Sequence, residues 1–495
     1  DYEQRLKEEG AVIADFAVRC AMIQKQVTRL GKKAGGQAVI DPALLELVTA
    51  LVEEPHAVLG NFDPAFLNVP QEALVSSMRD HQKYFHVVDA KGALLPAFIT
   101  VSNIRSRTPA RVRTGNERVL NARLADAKFF WETDATRPLS ARTEALKNVL
   151  FHHALGSLAG KTRRIEKLSA KIAQAVGAPT PVCIRAASLC KADLVSGMVG
   201  EFPDLQGIMG RYLAKHDGEP TAVARAIEEH YLPRHAGGAL PQSPAGQVLA
   251  LADRLDSLVG LFIAGEEPTG EKDPYGLRRA ALGGIRILVE KKLDLNVAAL
   301  VEDAADGYAS DGLVSGESAK SQCTTFILER YRALYTTLGF AQDEISAVLE
   351  AGASRPLDFD RRLKAVSRFR HHRDAPSLTA ANKRIRNILR KSEESIPAQI
   401  DAQQLTESAE IALSQAILKT AGAIAPAIAK GDYAAALRTL AGLRPVVDSF
   451  FDEVMVMSPD RAVRANRLAL LGQLNQLFLG IADISLLQTL ETGDG

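Results

Sequence analysis

Residues 185–220 read RAASLCKADLVSGMVGEFPDLQGIMGRYLAKHDGEP, and residues 246–258 read GQVLALADRLDSL. Apolar residues recur in both stretches at spacings of three and four, most regularly at Val248, Leu251, Leu255 and Leu258. This period is typical of packed helices. Each stretch also carries one acid within a largely apolar run, Asp193 in the first and Asp253 in the second. The sequence therefore predicts a central helical domain with two acidic side chains on facing helices.

Two facing acids in a helical bundle suggest a metal-dependent phosphohydrolase of the HD type, in which two histidines and two aspartates hold a divalent metal. The neighbouring residues argue against this function. Asp193 follows Ala192, where the metal site would need histidine, and His230 supplies one imidazole at most. Two or three ligands without the His-Asp doublet make a weak site for a hard cation. We expect Asp193 and Asp253 to form buried hydrogen bonds or ion pairs instead.

A His-Asp doublet does occur at His216-Asp217, but the helix-breaking run Gly218-Glu219-Pro220 follows it. The doublet is therefore predicted to lie at the end of a helix, away from any metal site. The sequence also lacks a G-x-x-x-x-G-K-[ST] phosphate loop, a G-x-G-x-x-G turn after a strand and a G-x-S-x-G elbow. We predict no catalytic residue, no cofactor site and no metal site in this chain alone.

Length and composition indicate a multidomain protein of ordinary content. A chain of 495 residues is too long for one compact core, and 46% apolar with 24% charged residues is usual for folded domains. Its four cysteines form no zinc pattern, so we expect reduced thiols and a cytoplasmic location. No signal peptide or membrane-spanning apolar run is found. The chain begins without methionine, already in a helical pattern, as expected of a fragment that lacks its natural N-terminal region.

The predicted fold class is mainly α, with an N-terminal α+β portion. Residues 84–103, YFHVVDAKGALLPAFITVSN, alternate in polarity around Lys91-Gly92, which predicts a β-hairpin. Residues 1–34 are predicted to form one amphipathic helix, and 302–317 a loop. From Thr143 onward almost no strand pattern occurs, and the last hundred residues are predicted to be a helical bundle.

Basic residues cluster in two segments although the net charge is only +1. Residues 101–125 carry six arginines against one acid and are predicted to be a loop. Residues 355–391 carry twelve Lys or Arg against three acids, which favours binding to a polyanion. The alternative for the first segment is a solvated surface loop, and for the second a solvated linker between domains. Within the second segment, NKRIRNILRKSEES is predicted to be a helix that presents Lys383, Arg384 and Arg386.

Two further predicted helices carry arginines at helical spacing. The first begins at Asp273-Pro274 and places Arg278, Arg279 and Arg286 on one side. Surface salt bridges are the commoner explanation of such a stripe. The final helix is predicted to begin at Ser458-Pro459, with Arg461, Arg464 and Arg467 on its first two turns. Arginines gathered at the start of a helix in a bundle indicate a plausible RNA contact.

Seven sequence blocks occur in an order that resembles a known family. They are HQKYF (81–85), GNERVLNARLADAKFFWETD (115–134), LCKADL (189–194), EFPDLQGIMG (201–210), KDPYGLRRAALGGIRIL (272–288), NKRIRNIL (382–389) and FFDEVMVMSPDRAVRANRLALLGQL (450–474). Together they closely resemble the beta subunit of bacterial glycyl-tRNA synthetase, over essentially the whole chain. The resemblance implies a subunit that binds the glycine tRNA and assembles with an alpha subunit. It also implies that the alpha subunit holds the class II active site with ATP and Mg, and that this chain contains no complete active site.

The resemblance further divides the chain into four segments. Residues 1–145 would be a mixed α/β body, 146–300 a degenerate HD-like helical domain, 301–395 a helical connector with the basic segment, and 396–495 an anticodon-binding bundle. Asp193, His230 and Asp253 would mark the degenerate HD-like core. The candidate tRNA-binding residues are Arg278, Arg279, Arg286, Lys383, Arg384, Arg386, Arg461, Arg464, Asn466 and Arg467.

Three functions remain open from the residues. The leading one is a tRNA-binding subunit that positions tRNA for ATP-dependent glycylation by its partner. The second is an HD-type phosphohydrolase, which stoichiometric metal bound through Asp193 and Asp253 would favour. The third is a non-catalytic helical scaffold that binds RNA without selectivity for the glycine tRNA.

Overall fold

The computed structural model describes residues 2–313, 316–392 and 395–488, and most of them are helical. Helices α1 to α22 span Tyr2–Gly10, Phe16–Lys33, Pro42–Leu51, Gln71–Ser76, Pro109–Ala135, Leu139–Arg142, Leu158–Val176, Thr180–Leu189, Gly197–Glu201, Ile208–His216, Thr221–Glu229, Pro244–Ile263, Leu277–Glu290, Val297–Ser310, Glu317–Thr337, Gln342–Glu350, Pro356–Arg370, Ala375–Lys391, Ser408–Ala429, Tyr433–Ala441, Arg444–Glu453 and Arg461–Leu479. Strands β1 to β6 span Gln37–Ala38, His56–Asn61, Phe85–Val88, Leu94–Ser102, Leu150–His152 and Gly156–Ser157. The predicted fold class, mainly α with an N-terminal α+β portion, is confirmed.

The strands near the N-terminus form one antiparallel sheet in the order β1-β3-β4-β2. The predicted hairpin is confirmed as β3 and β4, whose turn places Gly92 at a φ of 81°. Asp89 closes this turn because its Oδ1 accepts the backbone N–H groups of Lys91 and Ala93. One face of the sheet packs on α2 and α3, with Ile23, Val27 and Phe85 among the buried residues.

Two N-terminal predictions were wrong in detail. The helix predicted over 1–34 is broken after Gly10, where Ala11 has a φ of 54°, and α2 restarts under the cap of Asp15. The loop predicted over 101–125 is largely the long helix α5. Leu120, Leu124 and Ala127 bury the inner side of α5, and the arginines of the segment lie on its outer side and in the preceding turn.

The chain folds into two compact units, each made of two separate pieces. Unit 1 comprises residues 1–163 and 181–231, and unit 2 comprises 164–180 and 232–495. The limits of the four segments proposed from sequence do not coincide with these units, since 146–300 contributes to both. The chain therefore passes from one unit to the other three times.

Unit 2 contains a polar cluster that we call the Arg164 cluster. Its members are the buried Arg164, Asp256 and Tyr308 and the more exposed Asp311. The Arg164 guanidinium donates to Asp256 at 2.7 Å and to Asp311 at 2.9 Å, and it lies 4.0 Å from the centre of the Tyr308 ring. The Tyr308 hydroxyl donates to the Asp256 carbonyl at 2.8 Å. Gly260 faces this ring, since a Cβ there would lie 2.0 Å from the hydroxyl. The cluster joins α7, α12 and α14 inside the unit.

The predicted loop over 302–317 was also wrong. Helix α14 continues to Ser310 and α15 begins at Glu317, so the connection is much shorter than predicted. Three acids of the segment, Glu302, Asp303 and Asp306, lie on the outer side of α14, where Asp303 and Asp306 both accept from Lys171. An acidic sequence of small residues with several glycines resembles a loop in composition, but Val301, Ala305 and Tyr308 bury its inner side.

The last helices of unit 2, α17 to α22, form a bundle. Asp432 caps α20 by accepting the N–H of Ala435. Asp460, and not Ser458-Pro459, caps α22. Helix α19 is the one helix in the described part of the chain that is long and apolar enough to cross a membrane by length and composition. It packs on α20, α21 and α22, and 28% of its apolar window is buried.

Candidate nucleic-acid interface

Much of the basic segment 355–391 is committed to contacts within the fold. Arg362 pairs with Asp358 at 2.7 Å and also donates to the carbonyl of Gly480 at 2.8 Å. Arg370 pairs with Asp343 at 3.0 Å and with Glu344 at 3.5 Å. These cations hold α17 against its neighbours. Their charge therefore offers less to an external polyanion than the sequence count indicates.

Arg361 and Arg368 are exposed on α17, and four more exposed cations of the segment lie on one face of α18, which we call the cationic face. It consists of Lys383, Arg384, Asn387, Arg390 and Lys391, all exposed. Their spacing of three, four and seven places them on a single side of the helix. Within the described residues none of these four cations forms an ion pair, and Arg384 lies 4.2 Å from the centre of the Phe451 ring. This face therefore presents four positive charges and one amide to solvent.

Arg386 lies off the cationic face and holds the bundle together. Its guanidinium donates to Asp483 and to Ser485, and it also pairs with Glu350 at 3.2 Å. Asp483 is almost fully buried, so this ion pair fixes the end of α22 against α18. Of the three side chains predicted on this helix, Lys383 and Arg384 are available to a ligand and Arg386 is occupied.

The arginines at the start of α22 divide in the same way. Arg461 is exposed, whereas Arg464 donates to the carbonyl of Ser458 at 2.6 Å. Asn466 is buried, and its side chain exchanges two hydrogen bonds with the backbone of Asp401, at 2.8 and 2.9 Å. Arg467 is buried against Glu410 and the carbonyl of Met455. Asn466 and Arg467 therefore anchor α22 inside the bundle, and Arg461 is the exposed one of these four side chains.

The environment of Glu410 explains why Arg467 is held inside. The Glu410 side chain is fully buried, and burial acts to raise its pKa. The backbone N–H groups of Glu407 and Thr406 and the Arg467 guanidinium outweigh that effect and lower the pKa below its usual value. Glu410 is therefore an ionised carboxylate that needs Arg467 as its counter-charge.

Helix α13 begins at Leu277, three residues after Pro274, the first residue predicted from the sequence. Asp273 still caps the helix, because its Oδ1 accepts the N–H of Leu277, and a turn that ends at Gly276 separates the two residues. Arg279 is exposed, and Arg278 donates to the carbonyl of Gly270 at 2.6 Å. Arg286 donates to the carbonyls of Ala236 and Gly238 and pairs with Glu290. Of the three predicted arginines, Arg279 is therefore the one exposed to solvent. Arg286 instead holds the segment that precedes α12.

The sequence predicted that Asp193 lies on a regular helix, and this was wrong. Asp193 lies in unit 1 on a short 3-10 turn. Its Oδ2 accepts the backbone N–H groups of Gly207 at 2.6 Å and Gly210 at 3.0 Å. Burial raises the pKa of Asp193 to about 6, although these two donors and Lys191 act in the opposite direction. Its hydrogen bonds are those of a buried acid that closes a turn.

Lys191 and His230 form the second half of this core. His230 is fully buried, and its Nδ1 donates to the carbonyl of Ile227 at 2.6 Å. Its Nε2 therefore has the free lone pair and accepts from the Lys191 ammonium at 2.9 Å. The ammonium also lies 4.3 Å from the centre of the Tyr231 ring. A fixed positive charge beside the imidazole opposes the binding of a metal cation there.

Asp253, the third predicted member of the HD-like core, is half-buried on α12 and belongs to unit 2. In the described part of the chain no group of three or more His, Cys, Asp or Glu side chains is arranged to hold a metal ion. The His216-Asp217 doublet ends α10, and Asp217 accepts the backbone N–H of Leu139 at 2.6 Å. The side chains present do not fit an HD metal centre.

Sequence reasoning missed Arg390 and Lys391 as members of the cationic face. The signal was present, since both lie at spacings of seven from Lys383 and Arg384. It also missed that Asp483 and Glu410 neutralise Arg386 and Arg467. Those pairs join residues 97 and 57 positions apart, and no local pattern reports them.

Two family models match the chain. Residues 1–350 match the family described as glycyl-tRNA synthetase beta subunit, and residues 378–489 match the DALR anticodon binding domain. The second match begins in α18 and ends beyond α22, so the cationic face belongs to this domain.

Curated relatives give the same assignment. A glycine–tRNA ligase beta subunit of Marinobacter nauticus is 49% identical over 491 residues, which is 99% of this chain and 70% of that protein. Those of Aeromonas hydrophila and Pseudomonas aeruginosa are each 48% identical, over 98% and 96% of this chain and 70% and 69% of the relatives. The chain therefore belongs to the glycyl-tRNA synthetase beta subunit family and carries a DALR anticodon binding domain.

Proposed function

We propose that this chain is the tRNA-binding subunit of a glycine–tRNA ligase and that its cationic face contacts the anticodon arm of the tRNA. The observation that carries this proposal is the row of exposed cations on α18, which form no ion pair with any described residue and lie inside the domain matched as anticodon-binding. Phosphate contacts from this face would set the position of the tRNA, and they carry no sequence information. Recognition of unpaired bases would supply the selectivity.

The partner in this proposal is the alpha subunit of the same ligase, in an alpha/beta hetero-oligomer in the cytoplasm. That subunit would hold ATP, Mg and glycine, and this chain would contribute no cofactor. The chain's part in catalysis is to hold the tRNA so that its 3′ end reaches the partner's active site. Such positioning lowers the entropic barrier of a reaction between two bound molecules. Arg279 and Arg461, exposed on α13 and α22, are further candidate contacts.

The test replaces Lys383, Arg390 and Lys391 with alanine and measures binding of the glycine tRNA across a salt series. Each lost phosphate contact lowers the salt slope by about 0.7–0.9, so the triple variant should lose about 2–3 units. At moderate salt its affinity should fall on the order of 100-fold. A variant that exchanges Lys for Arg and Arg for Lys at the same positions keeps the charges and should bind like the parent.

Selectivity separates this function from the alternatives. We expect tighter binding of the glycine tRNA than of a non-cognate tRNA by the chain assembled with its alpha subunit. Equal binding of both tRNAs would favour an RNA scaffold without a role in aminoacylation. An unchanged slope in the triple variant would mean that the cationic face is solvated surface.

A further inference from the structure

A groove opens between α19 and α22 beside the last turn of α18. Its volume is about 580 Å³, and the segment 396–398 and Leu389 of α18 close one side. All of its walls belong to unit 2. A space of this size accommodates a planar ring system of one or two fused rings.

The walls of the groove are apolar and include an exposed side chain. Leu418 of α19 is 67% exposed, next to Ile417 in the core and one turn from Ala421. Gly472 lies opposite on α22, and a Cβ there would come no closer than 4.0 Å to Ile396. The glycine thus keeps the floor flat and leaves room above it. An exposed leucine beside an open floor offers a surface on which a flat ring can pack.

Two amides at the groove have no partner in the fold. The side chains of Asn475 and Gln476 make no hydrogen bond within the described residues, whereas the neighbouring Gln473 donates to the carbonyl of Ala398 at 3.4 Å. An amide offers a donor and an acceptor side by side. That pairing matches the edge of a nucleobase, and Asn and Gln form such bidentate contacts.

Cations lie beside the groove on two helices. The last turn of α18 contributes Leu389 to the wall and Arg390 and Lys391 to the cationic face. On α19, Lys419 is exposed next to Leu418 and forms no ion pair within the described residues. An apolar peptide would leave these cations and both amides unsatisfied. A nucleobase flanked by two phosphates would pair with the amides through its edge and with the cations through its phosphates.

We propose that this groove receives one unstacked nucleobase of a single-stranded RNA loop. The base packs on Leu418 and above Gly472, its edge pairs with Asn475 or Gln476, and the flanking phosphates contact Arg390 and Lys419. This inference rests on the proposed function and extends it, because it locates base recognition in a groove distinct from the phosphate contacts. Proteins that read RNA loops commonly bind splayed-out bases by contacts to the base plane together with hydrogen bonds to the base edge.

The experiment blocks the groove with Gly472→Phe and uses Gly472→Ala as the matched control. Alanine adds a methyl group into open space, and phenylalanine fills the site of the base. The probe is the anticodon stem-loop of the glycine tRNA, bound to the full chain across a salt series. We expect Gly472→Phe to weaken binding roughly 5-fold, the lower limit for one base stacked on an aromatic ring, with an unchanged salt slope. Gly472→Ala should bind like the parent.

A second variant and a set of modified RNAs identify the contact. Asn475→Ala with Gln476→Ala removes the amides without filling the groove, and it should reduce the preference for the cognate loop over one with altered bases. Stem-loops with an abasic nucleotide at each loop position should include one that Gly472→Phe no longer weakens. Thermal unfolding of each variant checks that the bundle remains folded.

The outcomes separate this inference from the proposed function. Suppose that Gly472→Phe and the amide variant are folded and bind like the parent, while the charge variant loses salt slope. The groove inference would then be wrong, and the role proposed for the cationic face would be supported. If the charge variant also binds like the parent, both are wrong. If blocking the groove prevents assembly with the alpha subunit and leaves RNA binding intact, the groove belongs to a protein partner, and the inference is overturned.

Discussion

Removal of the Arg467 side chain tests whether this residue stabilises the bundle or contacts tRNA. In the structure its guanidinium pairs with Glu410, and the exposed fractions of the two side chains are 8% and 0%. Breaking a buried ion pair by removing one partner costs about 3–5 kcal/mol, since the remaining charge stays buried. Glu410 keeps two backbone donors, Thr406 at 2.8 Å and Glu407 at 3.0 Å. We therefore expect Arg467→Ala to lower the free energy of unfolding by about 3 kcal/mol, the lower end of that range.

The assay is calorimetric unfolding of Arg467→Ala beside Arg461→Ala, which removes the same charge from an exposed position of α22. A loss of about 3 kcal/mol should lower the melting temperature of the unit by roughly 6–12 °C. The Arg461 control should change the free energy of unfolding by less than about 0.5 kcal/mol. Neutralising both partners, with Glu410→Gln and Arg467→Met, should recover most of the loss.

The pH dependence has a defined sign. In the parent the pKa of Glu410 is lowered, so its stabilising effect is present above the usual carboxyl pKa and is lost as the pH falls through the folded-state value. In Arg467→Ala the charged carboxylate is the destabilising form, so the penalty should be largest near neutral pH and shrink on acidification. If the variant melted like the parent and instead lost salt slope in tRNA binding, the ion pair would be irrelevant and Arg467 would be an RNA contact.

Three further outcomes follow from the other buried groups. Because the pKa of Asp193 is raised to about 6, the stability of unit 1 should fall as the pH rises from the usual carboxyl value to about 6, and urea unfolding of Asp193→Asn should lack this trend. Arg164→Ala should destabilise unit 2 by about 3–5 kcal/mol in chemical denaturation, since Asp256 would remain buried without its counter-charge. Addition of Mn²⁺ or Zn²⁺ should leave the melting temperature unchanged, because the Lys191 ammonium lies beside His230; a metal-dependent rise would favour the phosphohydrolase.

Features set by neighbouring residues were predictable from the sequence. The β-hairpin around Gly92 and the helix over 382–391 depend on local turn chemistry and on a period of three to four residues. The Lys383 and Arg384 positions on that helix followed from the same period. Local sequence patterns are sufficient to predict a helix or strand when one side of it is buried and the other is solvated.

Features set by distant residues were not predictable in this way. Helix α5 was taken for a loop because its charge obscured the buried stripe of Leu120 and Leu124. Asp193 was placed on a helix because its apolar neighbours suit one, although its partners Gly207 and Gly210 select a tight turn. Arg467 looked like an open cation because Glu410 lies on another helix. A charged residue can be assigned to a surface or to a core only when its partner is known.

The division of the chain into interleaved pieces has a consequence for its synthesis. Arg164 lies 92 residues before Asp256 and 144 before Tyr308. At about 5–20 residues per second, the ribosome delivers the first of these partners roughly 5–18 s after the arginine. During that interval residues 164–180 have left the tunnel without the unit to which they belong. The nascent chain therefore presents an unpaired arginine and an apolar helix face to chaperones before unit 2 can close.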